Sequence, residues 1–320
     1  VRAIVVAKAG GPEELQLREV PTPDPGPGQV LIRTHAAGVN FMDVYQRSGQ
    51  YKVDFPLTPG GEASGVVEAV GDGVTGISVG DQVTTAQAHK AYAELFVVAA
   101  EVVTAVPDGV DLELAAAFPL QGLTAHYLAT SSARPEPGET VLVHAGAGGV
   151  GLLLTQLLAA RGVRVLTTVS TPEKAELSRA AGATDVFGYD DFKVRAREAT
   201  DGEGVAVVYD GVGKSTFDDS LASLRVRGEM VLFGAASGPV PPFELQRLAS
   251  GGSLSVTRPT MGHFMRTPEE RAWRYGELFE ALEAGTLSVR IHDRYPLEEA
   301  REAHAALAGR STTGKLLLTL

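Results

Sequence analysis

Val141-Leu142-Val143-His144-Ala145-Gly146-Ala147-Gly148-Gly149-Val150-Gly151 is an apolar run that turns through glycines into a helix-forming stretch, and its reading decides the fold. A dinucleotide pyrophosphate asks four things of a backbone. These are a tight turn, a close approach to phosphate, a helix packed hard on its strand, and the unpaired N–H groups of a helix start. Gly146, Gly148 and Gly151 answer the first three, and Gly149 with Val150 opens the helix. Gly-x-Gly-x-x-Gly alone is a weak signal, but a strand before it and a helix after it make it a nucleotide-binding turn.

Working outward, residues 163–169, 205–210, 229–234 and 254–257 read as further strands. Residues 172–181 and 216–224 read as helices between them. Strand and helix in alternation give a doubly wound parallel sheet. Upstream, residues 3–7, 30–35, 63–70, 82–85 and 95–99 are short β-branched or alternating runs between Gly and Pro, which predicts a compact β-rich unit. Downstream, residues 268–284 read as an amphipathic helix with Trp273, Leu278, Phe279 and Leu282 inward, and residues 297–308 as a second helix. Residues 315–320 form an apolar strand whose expected partner is the N-terminal β unit. The expected fold is therefore α/β, with a β-rich domain of residues 1–121 and 261–320 and a nucleotide-binding domain of residues 122–260.

A chain of 320 residues suits about two domains of ~150 residues each. Its net charge of −11 and pI near 5.2 disfavour nucleic acid as a partner. No apolar stretch reaches the ~18 residues of a spanning helix, and residues 1–9 alternate instead of forming a signal-type apolar block, so a cytoplasmic protein is expected. Cysteine is absent, which removes disulfides, a thiol nucleophile and thiolate-held zinc together. Asn40 is the sole asparagine, and scarcity of both thermolabile residues fits a heat-adapted source.

NAD-binding folds of this kind place an acidic residue about 20 positions after the glycines, where it bonds the ribose 2′-hydroxyl. Here the corresponding strand end offers Ser170 and Thr171, with Lys174 one helical turn on. A cation in place of a carboxylate favours a 2′-phosphate, hence NADPH. Glu173, directly after Pro172, is expected to complement the helix dipole.

Further motifs run nearly the whole length. They are Gly38-Val39-Asn40-Phe41-Met42-Asp43-Val44-Tyr45, Arg47-Ser48-Gly49, Pro59-Gly60-Gly61-Glu62, Gly80-Asp81, Gln121-Gly122-Leu123-Thr124, Phe233-Gly234-Ala235-Ala236-Ser237-Gly238, Val256-Thr257-Arg258-Pro259, Arg310 and Gly314-Lys315. With the glycine turn, they make the chain resemble the zinc-independent quinone oxidoreductases, the zeta-crystallin-like branch of the medium-chain dehydrogenases. The resemblance implies a GroES-like β-rich catalytic domain beside a Rossmann domain, NADPH and substrate in the cleft between them, and a homodimer. It places Phe41, Asp43 and Tyr45 along the nicotinamide, with Thr124 and Tyr127 approaching from the other domain. Phe233, Gly234, Ala235, Ala236 and Ser237 form a loop beneath it, beside Val212, and Lys174, Tyr189 and Arg310 surround the adenosine phosphate. Zinc-using relatives carry a cysteine at the position of Asn40 and a histidine before Glu62. His35, Glu62 and His89 match no ligand spacing that would replace that site.

Quinones are strong electrophiles, so their reduction needs orientation and donors for the developing oxyanion more than it needs a metal. Asn40, Tyr45, Tyr51 and Thr124 are the candidate donors, with Asn40 first because it is the one asparagine kept. His126 and His144 titrate in the useful range, but His144, inside a strand, reads as a satisfied core residue. Asp43 and Glu62 are expected to bond backbone or Arg47. Two other readings share these residues: an NADPH-dependent reductase of α,β-unsaturated ketones or aldehydes, and a crystallin-type NADPH-binding structural or RNA-binding protein.

Overall fold

A computed structural model describes residues 1–320, which divide into two compact units, Val1–Leu120 with Val289–Leu320 and Gln121–Ser288. The first segment carries β1 (Arg2–Val6), β2 (Leu15–Glu19), β3 (Gln29–Val39), α1 (Phe41–Ser48), β4 (Ala63–Val70), β5 (Gln82–Thr85), β6 (Leu95–Ala99), β7 (Thr104–Ala105) and α2 (Leu112–Ala117), and starts α3 (Pro119–Tyr127). The second unit continues α3 and adds β8 (Thr140–Val143), α4 (Gly149–Ala160), β9 (Arg164–Thr168), α5 (Pro172–Ala180), β10 (Asp185–Phe187), α6 (Phe192–Glu198), β11 (Val205–Asp210), α7 (Phe217–Ser223), β12 (Leu224–Leu232), α8 (Gln246–Ser250), β13 (Ser255–Thr257) and α9 (Pro268–Glu283). The chain then returns to the first unit with β14 (Ile291–Pro296), α10 (Ala300–Ala308) and β15 (Lys315–Thr319).

The β-rich unit is built on a seven-stranded sheet ordered β14-β15-β3-β4-β5-β7, with β6 also on β3. β15 runs antiparallel to β3 and brings Leu317 opposite Gly38. Its leucines are buried on both faces: Leu316 and Leu318 join the main core with Val30, Ile32 and Phe96, while Leu317 meets Ala116 and Ala117 of α2. That two-sided burial explains why Leu316, Leu317 and Leu318 show no alternation.

The second unit holds a parallel sheet ordered β10-β9-β8-β11-β12-β13. Counted from β8 as the first strand, the order is 3-2-1-4-5-6, the doubly wound dinucleotide arrangement, and it reverses direction between β8 and β11. Leu142, Leu166, Val208 and Met230 fill its interior against Phe192 and Phe217.

Residues 261–288 lie in the parallel-sheet unit, not with the β-rich domain to which the sequence reading assigned them. Arg274 supplies the reason. Only 1% exposed, it donates to Phe264 O (2.8 Å), Thr130 Oγ1 (3.3 Å), Ser131 Oγ (3.0 Å) and His126 Nδ1 (3.0 Å), tying α9 to the end of α3 and the π-helical turn after it. Trp273, expected inward, is 42% exposed because the buried face of α9 is Arg274, Tyr275, Leu278 and Phe279. Its indole covers the Arg274 guanidinium at 4.5 Å and donates to Glu277 Oε1 (2.6 Å). Elements β2, α1, β7, α3, β10, α6, α8 and β14 have no counterpart in the sequence reading.

Candidate active site

The glycine turn begins at His144, whose ring is 1% exposed and bonded at both nitrogens, Nδ1 to Thr168 Oγ1 and Nε2 to Ser220 Oγ, each at 2.8 Å. Ser220 donates onward to Asp210 Oδ2 at 3.1 Å, so Nε2 carries the imidazole proton and Thr168 donates to Nδ1. Burial lowers the His144 pKa, and the ring is a neutral structural strut, as the sequence suggested.

The residue with left-handed backbone in this turn is Ala145 (φ 53°), not a glycine. Its N–H is received by the Tyr189 hydroxyl at 3.1 Å, and the Tyr189 ring stacks near His144. Gly146 and Gly151 serve close packing instead. A Cβ on Gly146 would come within 2.6 Å of Thr167 Cβ, and one on Gly151 would overlap the Ala145 carbonyl oxygen. Gly148 is the N-cap of α4, with no side chain capping it, so the first-turn N–H groups of Gly149, Val150 and Gly151 are kept for something else. A Cβ on Gly148 would meet no residue except Ala145.

At the end of β9, Ser170 is exposed and Thr171 caps α5, its hydroxyl accepting the Lys174 N–H at 3.3 Å. Glu173 stays in the first turn of α5, where its own N–H and the Thr171 hydroxyl hold its carboxyl below the usual range. This strand end therefore presents hydroxyls and the half-buried Lys174, whose ammonium pKa is lowered by burial.

Asp210, at the end of β11, organises the loop beside the turn and was not singled out from sequence. Its Oδ1 accepts from the N–H groups of Val212 (2.7 Å) and Gly213 (2.9 Å), and Oδ2 accepts from Thr216 Oγ1 (2.6 Å). The loop after β12 lies on this one: Ala236 N–H donates to Gly211 O (3.1 Å), and both N–H and Oγ of Ser237 donate to Val212 O (2.8 Å). Gly234 has no room for a Cβ, which would sit 2.5 Å from Gly211 O. Val212, Phe233, Gly234, Ala235, Ala236 and Ser237 thus gather with the glycine turn at the C-terminal edge of one parallel sheet. On α3, Thr124 is 8% and Tyr127 3% exposed, and the Tyr127 ring stacks on Phe264 with centroids 4.5 Å apart.

In the β-rich unit, Asn40 is the N-cap of α1 and 5% exposed. Its amide is fully committed: Nδ2 donates to Glu62 Oε2 (2.9 Å) and Gly38 O (3.3 Å), and Oδ1 accepts from Lys315 Nζ (2.8 Å). The expected oxyanion donor is therefore a building block, and its lysine partner shows in the sequence only as one charge opening an apolar strand. Tyr45 and Tyr51 lie on and just beyond the same helix. Their rings lie 5.2 Å apart, with Phe41 5.9 Å from Tyr45, forming an aromatic cluster along α1.

Asp43 is 1% exposed, with Oδ2 accepting from Asn40 N–H (2.9 Å) and the Tyr92 hydroxyl (3.1 Å), and Oδ1 from Gly60 N–H (3.2 Å). The resemblance places it along the nicotinamide, while its residue type reads as a bonder of backbone or Arg47; it holds the backbone, and Tyr92 takes the place of Arg47. Burial raises its pKa to about 6, partly opposed by those donors. His304 Nε2 donates to Tyr92 (3.2 Å) and its Nδ1 accepts from Arg47 (3.2 Å). Burial and that guanidinium push the His304 pKa down to about 3. Arg47 meets His304 and Gly10 O, not a carboxylate, while Arg310 lies exposed in this unit just past α10 with φ 57°.

Comparison with known proteins follows the same division. Residues 26–134 match the family model of the alcohol dehydrogenase GroES-like domain, and residues 149–275 that of zinc-binding dehydrogenase. A quinone oxidoreductase of Pseudomonas aeruginosa is 46% identical across 99% of both chains. This chain belongs to the quinone oxidoreductase family. Among solved structures, a mycobacterial protein complexed with NADPH is 52% identical, covers 100% of both chains and superposes with a TM-score of 0.98. A 2-haloacrylate reductase of Burkholderia is 40% identical over 99% of this chain and 98% of its own. The family model's zinc is not matched by the residues of this quinone oxidoreductase family member: it has no cysteine, it places no three His, Asp or Glu together, and an ammonium sits between Asn40 and Glu62.

Proposed function

We propose that this chain binds NADPH at the glycine turn and reduces quinones with it. The observation that carries the proposal is the uncapped start of α4 set beside a β9 end that offers Ser170, Thr171 and Lys174 where a carboxylate would select NAD. The N–H groups of Gly149, Val150 and Gly151 are the natural holders of the pyrophosphate. Lys174, with the hydroxyls of Ser170 and Thr171, takes the 2′-phosphate through a charge-assisted bond. Tyr189 fixes the turn through the Ala145 N–H, and the loop of Val212 and residues 233–237 borders the same sheet edge.

When bound, NADPH supplies a hydride from its nicotinamide. With the Asn40 amide committed to Glu62, Gly38 and Lys315, the donor for the developing oxyanion is assigned to the hydroxyls of Tyr45 and Tyr51, while Phe41 adds an apolar aromatic wall. No imidazole is assigned a proton transfer, since His144 and His304 are both bonded at two ring nitrogens, and solvent supplies the proton. The reading extends to a cytoplasmic homodimer from a heat-adapted source, which light scattering and thermal melting test.

The experiment is NADPH and NADH oxidation with 1,4-benzoquinone, an enone and 2-chloroacrylate, the last because of the Burkholderia relative. Quinone-dependent turnover that favours NADPH is expected. Tight NADPH binding without it would defeat the proposal, and faster turnover of the alkenes would move the acceptor class.

A further inference from the structure

Glu62, Lys315 and Asn40 form a knot at the heart of the β-rich unit, with Glu62 and Lys315 both 0% exposed. Lys315 Nζ donates to Glu62 Oε2 as well as to Asn40. The second oxygen of Glu62 looks elsewhere, accepting the Leu120 N–H at 2.7 Å. Space for the pair is reserved by Gly38, where a Cβ would overlap Glu62 Oε2 and lie 2.8 Å from Lys315 Cε. A buried ion pair is close to neutral in stability against an apolar pair of the same volume, so stability does not account for this one.

Its bonds end at the starts of two helices. Asn40 is the N-cap of α1, and Leu120 is the second residue of α3, behind Pro119, which has no N–H to offer. The first-turn N–H of Leu120 has no acceptor within its own helix, and Glu62 supplies one from a distant strand. α1 carries Phe41, Tyr45 and the turn to Tyr51, and α3 carries Thr124 and Tyr127. Resting on the functional reading above, we propose that Glu62 is a positioning residue for hydride transfer: its two oxygens, one on Asn40 and one on the Leu120 N–H, set the starts of α1 and α3, and Lys315 is its internal counter-ion.

Two charge-neutral double variants separate this role from simple charge burial. In Glu62→Gln/Lys315→Met, the new amide oxygen can still accept the Leu120 N–H, and its NH2 can donate to Asn40 Oδ1 after an amide flip. Glu62→Ala/Lys315→Met loses both bonds. Per NADPH-binding site, titrated by NADPH fluorescence, kcat with 1,4-benzoquinone is expected within about threefold of the parent for the first and at least about tenfold lower for the second, with NADPH Kd nearly constant. Independently of cofactor, the Leu120 amide should keep its hydrogen-exchange protection in the first and lose it in the second. Equal kcat in the two variants, or equal Leu120 protection, would overturn the proposal. So would a folded Glu62→Gln/Lys315→Met protein as slow as the alanine variant, because the ammonium charge itself would then be what the reaction needs. A parent protein without quinone turnover but with the Leu120 pattern intact would instead fail the functional reading and leave the positioning bonds demonstrated.

Discussion

The glycine turn of the parallel-sheet unit, at Gly146 and Gly151, and the Glu62 knot of the β-rich unit, at Gly38, have no room for an added methyl group, yet they are built in opposite ways. The turn is a contiguous stretch of backbone, residues 145–151, packed against its own carbonyl and the next strand. The knot is made of side chains at positions 40, 62 and 315 and one backbone N–H at 120. Contiguous backbone devices leave a spelling in the sequence, whereas devices assembled across a sheet leave only isolated residues whose meaning depends on their neighbours.

The same substitution made in each place is the sharpest way to break that comparison. Gly151→Ala drives a Cβ into the Ala145 carbonyl oxygen, a backbone atom that cannot yield without opening the phosphate turn. A loss of about 3 kcal/mol, or about a hundredfold in NADPH Kd, is expected despite the better helix propensity of alanine, and fluorescence titration checks it. Gly38→Ala instead presses on Glu62 and Lys315. It should cost about 2 kcal/mol in thermal or denaturant unfolding while leaving NADPH affinity nearly unchanged, and an unaltered Tm would show the knot to be looser than drawn.

Lys174→Ala tests whether the cofactor side reads charge as well as shape. NADPH should weaken about tenfold and NADH hardly at all, since one charge-assisted bond at a partly exposed site is lost. Equal losses would remove Lys174 from the phosphate.

The smallest expected effect is in pH. Asp43, raised from 3.8 to about 6, takes a proton in the folded state before the unfolded one, so it adds stability as pH falls between about 6 and 4. His304, lowered from 6.5 to about 3, stays neutral while the unfolded ring is protonated, so its contribution is lost over that same interval. The two oppose one another. His304→Gln removes the second, and its Tm should decline less on acidification from pH 6 to 4 than that of the parent. A steeper decline would contradict the buried, neutral His304.

Much of the chain was legible where periodicity and burial agreed. β4, β5 and β6 coincide with the β-branched or alternating runs 63–70, 82–85 and 95–99, and the strand-helix alternation after residue 140 predicts the parallel sheet with its nucleotide edge. α1 was hidden because its buried positions are Asp43, Tyr45 and Arg47, while Met42 is 43% exposed, which inverts the usual apolar stripe. The same inversion misplaced Trp273, since Arg274 next to it is the residue inside. Among site residues, Gly146, Gly148, Gly151 and Lys174 stood out by spacing, and Tyr189 entered by resemblance alone. Asn40 stood out by rarity but for the wrong task, because a lone amide in a sequence does not say whether its donors face solvent or a buried carboxylate.

The sequence by itself determined the nucleotide fold, the absence of thiol chemistry and the hydroxyls and lysine that stand at the end of β9 in place of a carboxylate. Each of these follows from residue type at short spacing, where local geometry is set by the backbone. Tertiary structure alone decided that Ala145 and not a glycine bears the left-handed turn, that α9 belongs with the parallel sheet, and that Lys315 meets Glu62 and Asn40. Those facts depend on which distant segments share a buried volume, and desolvation there forces every polar atom to find a partner that the linear order does not name.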